Sequence, residues 1–101
     1  MKEENNWKVG RHPRVDKSIR AFPGRVKEDF LTLIKEMQIQ GPNRYNWPHY
    51  SKLDKGKRVV FERHHCHLNN GRPTYVTCWI VNKKEKIIEV TYAGTHEGAP
   101  Y

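Results

Sequence analysis

The chain has 101 residues, enough for one compact domain and too few for two. Its apolar fraction is low at 36%, yet three Trp, five Tyr and three Phe supply the bulk of a core, which argues against a disordered chain. The net charge of +8 points to a polyanionic partner such as nucleic acid, and the absence of a long apolar run excludes a membrane-spanning helix.

Residues 1–101 read as a single unit, without repeats or low-complexity tracts. NWKVGR, residues 6–11, predicts a short first strand. Pro13, Val15, Ile19 and Phe22 predict a short amphipathic helix with proline in its first turn, ended by FPG at 22–24. Val26, Phe30, Leu33, Ile34 and Met37 fall at helical spacing, so a second helix follows and Gly41-Pro42 stops it. The stretch 42–56 is rich in proline and aromatics and has no period, so it is expected to be a connection. Three strands follow at 57–68, 73–81 and 86–94, joined by turns short enough for antiparallel hairpins. The expected class is α+β: a first strand, a two-helix hairpin, and a three-stranded antiparallel meander.

FERHHCHL, residues 61–68, holds the densest chemistry. On a strand Arg63, His65 and His67 share one face, while Glu62, His64 and Cys66 share the other. Imidazole gives and takes protons near neutral pH, and arginine is a planar phosphate donor. Together on a basic chain they suit phosphodiester transfer in RNA, where a 2′-hydroxyl is the nucleophile and no metal or cofactor is needed. A zinc set drawn from His49, His65, His67, His96 and a cysteine is the alternative, but Cys66 and Cys78 lack paired ligand spacing. Cys78 reads as core. Trp47 and Tyr50 flank His49 and read either as base-stacking groups or as packing. Lys57 and Arg58, in KLDKGKR, and Arg72 are candidate phosphate contacts with Arg63. The two lone cysteines and the polar N-terminal decapeptide lead us to expect a reducing, cytoplasmic setting.

The element order, the basic charge, RHHCHL followed by RPTYVTCWIV, and KIIEVTYAGTH closing the last strand together resemble the RelE/ParE superfamily of toxins. The histidine-rich character is similar to the YafQ-type branch. The resemblance implies one twisted sheet with two helices packed on it, and an endoribonuclease that cleaves mRNA at the ribosomal A site and is neutralised by a cognate antitoxin. By position it makes His67 and His96 the catalytic histidines, with His49 a third and His65 beside them. Tyr101 stands one step beyond the branch's terminal aromatic and is expected to stack on a base or contact phosphate. The lysine-and-arginine chemistry of RelE itself has no counterpart here. The rival functions are a ParE-like inhibitor of DNA gyrase and a non-catalytic RNA-binding module.

Overall fold

The computed structural model describes residues 6–54 and 61–101. The described elements are β1 (Lys8–Arg11), α1 (Pro13–Ile19), α2 (Gly24–Gln40), β2 (Ser51–Lys52), β3 (Glu62–His67), β4 (Tyr75–Asn82), β5 (Ile87–Thr95) and a final 3-10 turn, His96–Gly98. The first helix starts where the His12 imidazole Nδ1 accepts from the Arg14 backbone N–H, with Pro13 in the first turn. It buries Val15 and Ile19. The second buries Val26, Phe30, Leu33, Ile34 and Met37, the stripe read from the sequence. Gly41 ends it at a positive φ of 92, open to glycine and strained for a residue with a side chain, and donates its N–H to the Met37 carbonyl.

Among the described residues the five strands form one sheet in the order β1-β5-β4-β3-β2. This corrects the expected layout in two respects. The first strand pairs with β5 in parallel, in register Lys8 to Ile87, so the sheet is mixed. A fifth strand, β2, lies inside the stretch read as an irregular connection and pairs antiparallel with β3, Ser51 opposite His65. Two residues are too short to leave any periodic signal; this strand exists only because β3 offers an edge. Residues 57–60 of the expected third-last strand lie outside the described residues, and β3 itself begins at Glu62.

One sheet face is covered by the helices. His64, Cys66, Trp79, Val81, Ile88, Val90 and Ala93 are buried, and all but His64 form one cluster with Val15, Phe30, Leu33 and Met37. Trp79 is fully buried and its indole N–H donates to the Pro42 carbonyl at 3.3 Å. The other face carries the alternate residues: Arg63, His65 and His67 on β3, paired with Ile80, Cys78 and Val76 on β4.

An irregularity in β5 matters for everything downstream. Cys78 pairs with Tyr92 but Trp79 pairs with Val90, so Thr91 is an extra residue in the ladder. Without it, Tyr92 would follow Ile88 and Val90 into the core. With it, Ala93 takes the core side, and Tyr92 and Gly94 turn to the open face. The Arg14 Nε–H donates to the Thr91 carbonyl at 3.1 Å and ties the bulge to α1.

Candidate active site

Four of the six histidines gather on the open face. The His49 ring stacks on that of His67, with centroids 4.2 Å apart and planes 29° from parallel. His96 meets His67 edge-on at 5.4 Å. The Tyr101 ring lies 4.4 Å from His65 and 6.3 Å from His96, closing the group. The structure thus brings together His49, His65, His67, His96 and Tyr101, which are 52 residues apart at the extremes of the sequence.

Three local devices hold them. The His67 backbone N–H donates to the Pro48 carbonyl at 2.8 Å, which brings the 48–50 segment against β3. His49 itself has φ 56, a left-handed conformation uncommon for a residue with a side chain and typical of functional loops. The same segment is fixed from beneath by one carboxylate on α2. Glu36 Oε1 accepts from Arg44 at 3.1 Å, Asn46 at 3.0 Å and the Trp47 indole at 2.8 Å. Burial alone would raise the Glu36 carboxyl, but the hydrogen bonds from Asn46, Trp47 and Arg44 outweigh it and hold the group below the ordinary carboxylate range. The C-terminal segment is pinned separately: His96 N–H donates to Thr74, and the Tyr92 hydroxyl donates to the Thr95 carbonyl at 2.7 Å.

His65 Nε2 lies 2.8 Å from the Ser51 hydroxyl, while its Nδ1 is buried with no hydrogen-bond partner among the described residues. Burial lowers the pKa of His65, and the imidazoles of His67, His49 and His96 lower it further. His67 is lowered by burial, then by His49 and His96. Both are therefore neutral bases at neutral pH. Burial pushes the Tyr101 hydroxyl up to about 12, so it remains a proton-bearing donor. It likewise raises the Cys78 thiol to about 12, which leaves no thiolate to act as nucleophile. Cys78 is buried, as read, but on the open side beneath this group, opposite His65 and Tyr92 in the ladder.

Other expected site residues fall elsewhere. Arg63 is not a free phosphate donor: its Nη2 and Nε donate to Asp54 at 2.7 and 3.0 Å, and its backbone N–H donates to the same carboxylate. That pair fastens the turn after β2 to the start of β3. Arg72 is exposed in the β3–β4 connection and makes no hydrogen bond or ion pair with the described residues. Lys57 and Arg58 lie outside the described residues. Tyr50 faces inward, with its hydroxyl 2.8 Å from His64 Nδ1 and its ring stacked on Trp79, so it does not offer a base-stacking face. Trp47 is packing, through its bond to Glu36. His64, fully buried, bonds to Glu62 at 3.1 Å on the helix-covered side. Among the described residues no three His, Cys, Asp or Glu side chains are grouped so as to hold a metal ion.

Sequence reasoning missed Ser51, Asp54, Glu36 and Tyr92. The first two depend on the β2 pairing and had no signal. The displacement of Tyr92 was readable in principle, since the spacing Ile88, Val90, Ala93 breaks the two-residue alternation.

No protein-family model matches the chain, and no curated protein is significantly similar to it in sequence. Among solved structures it is similar to the crystal structure of an archaeal RelE-RelB complex from Pyrococcus horikoshii, with a TM-score of 0.76 over 93% of this chain and 99% of that one, at 19% identity. The chain has a RelE-like α+β fold.

Proposed function

We propose that this protein is an endoribonuclease toxin of a toxin–antitoxin pair, cleaving mRNA without a metal. The observation that carries this reading is the convergence of His49, His67 and His96, with His65 and Tyr101, on the uncovered face of a basic RelE-like sheet. The reaction is transfer of a phosphodiester: the 2′-oxygen bonds to the neighbouring phosphorus, the bond from phosphorus to the 5′-oxygen breaks, and a 2′,3′-cyclic phosphate remains. His67, neutral at working pH, removes the 2′ proton. His96, edge-on to it, returns a proton to the departing 5′-oxygen. The Tyr101 hydroxyl donates to the phosphate as charge builds. His49 holds the His67 ring in its plane by stacking.

The similar archaeal protein was crystallised with RelB, and an antitoxin that covers the basic surface is the partner proposed here. The ribosome is proposed as the place where the mRNA is presented. Primer extension on a defined mRNA, with and without programmed ribosomes, tests the reading. Cuts confined to the A-site codon, and lost in a folded His96→Ala variant, are the expected result. Cuts on free RNA as well keep the chemistry and remove the ribosome. No cut in either format from folded protein, with toxicity unchanged by His96→Ala, overturns the reading in favour of a gyrase-type inhibitor.

A further inference from the structure

At the far end of the same open face is a cavity of about 210 Å³ lined by Phe61, Ile80, Asn82, Ile87 and Glu89. Nothing in the proposed chemistry uses it. Phe61 and Ile87 are exposed large apolar side chains, 48% and 40% accessible. The polar groups at this apolar pocket are of two kinds. Glu89 brings a carboxylate that accepts hydrogen bonds. Asn82 uses its carbonyl oxygen to accept from the Glu85 backbone N–H at 3.1 Å, which leaves its amide N–H groups as donors. The Ile80–Glu89 row is two same-face steps along the sheet from the row of His67, Val76 and Gly94, with the row of His65, Cys78 and Tyr92 between them. At ~3.3 Å per residue those two steps are about 13 Å, comparable with the span of two nucleotides in an extended single strand.

We propose that this pocket takes a nucleobase about two nucleotides along the strand from the scissile phosphate and selects against uracil. The proposal rests on the nuclease reading for the placement of the strand. Apolar walls accept the faces of any base. Selection comes from the edge. Adenine and cytosine each present an exocyclic N–H beside a ring-nitrogen acceptor, and guanine presents two adjacent N–H groups beside a carbonyl, so each can give its donor to the Glu89 carboxylate and its acceptor to the Asn82 amide. Uracil presents its one N–H between two carbonyls, and a carboxylate facing that N–H meets a carbonyl oxygen on either side.

Binding alone tests this, independently of cleavage. Uncleavable 2′-O-methyl tetranucleotides of A, C or U are titrated against full-length protein carrying labelled isoleucine methyls. Ile80 and Ile87 report the pocket; the buried Ile88 and Ile34 are internal controls. The expected result is a shift confined to Ile80 and Ile87, with uracil binding about tenfold weaker than adenine or cytosine. Glu89→Gln should narrow that gap, and Phe61→Ala should weaken all bases alike. Equal affinity for all bases, unchanged selection in a folded Glu89→Gln variant, or no shift at Ile80 and Ile87 overturns the proposal. So does a shift of those methyls with protein concentration alone, which marks a contact between copies of the chain. Base selection without any cleavage leaves the pocket standing and removes the nuclease instead.

Discussion

The His49 and His67 rings stack at 4.2 Å although one sits in a loop and the other on β3. The contact joins the segment after α2 to the sheet and gives the two imidazoles unequal tasks. His67 also faces His96, whereas His49 is the outer member of the stack. His67→Ala should therefore lower single-turnover cleavage by ~10²–10⁴, the usual contribution of a proton-transferring group. His49→Ala should cost about tenfold, through loss of orientation alone. Equal losses in the two variants would show that both imidazoles move protons.

Protonation of His65 and His67 is opposed first by burial and then by neighbouring imidazoles. An ordinary histidine is half protonated at about 6.5. Cleavage that needs neutral His67 should persist at that pH and fall only in more acid solution. Removing His49 takes away one opposing charge, so its alanine variant should move the acid limb upward. Stability follows the same sign. Both groups have folded pKa values below the unfolded one, so the unfolded chain binds more protons. Their stabilising effect is complete above about 6.5 and is lost as pH falls through the lower folded values. Cleavage rates across pH 5 to 7.5 for the parent and His49→Ala check the first effect, and thermal unfolding over the same range for the parent and a His65→Gln, His67→Gln double variant checks the second.

The helical stripe from Val26 to Met37 was legible because burial of one face imposes the 3.6-residue period. The split of His65 and His67 from His64 and Cys66 was legible because a regular strand alternates. The parallel pairing of β1 with β5 was not, since a four-residue strand carries no mark of its partner. Arg63 shows a deeper limit. Its chemistry suits phosphate, and only the proximity of Asp54, nine residues back, reveals that the guanidinium is already engaged. Residue type predicts what a side chain can bind, while the fold decides what it meets.

Glu36 is remote from the imidazoles yet holds the loop that carries His49. Glu36→Leu would leave Arg44, a buried residue, without its carboxylate, and would release Asn46 and Trp47. The expected loss of stability is about 2–4 kcal/mol, dominated by the unpaired guanidinium. Urea unfolding gives the magnitude, and Trp47 fluorescence reports whether the loop loosens before the core. Because the folded carboxyl pKa is lowered, this stabilisation is present above about 4.5 and lost as pH falls through the folded value. The parent and variant curves should therefore converge in acid.

The placement of His96 depends on how closely the C-terminal segment passes Tyr92. A Cβ built on Gly98 would stand 2.7 Å from the Tyr92 hydroxyl oxygen and 3.8 Å from the carbon bearing it. Only the oxygen is too close, so the conflict belongs to a single atom. Gly98→Ala should push the segment off the sheet and reduce cleavage by about tenfold or more, with the core intact. Tyr92→Phe alone removes the hydrogen bond to Thr95 and should cost about 1 kcal/mol. The two changes together should recover much of the cleavage lost in Gly98→Ala, because the phenylalanine ring leaves room for the methyl group. This double-variant cycle, read in cleavage rate and in unfolding free energy, separates steric displacement from general destabilisation. Additive losses would mean that the cost of the added methyl group does not come from the Tyr92 hydroxyl.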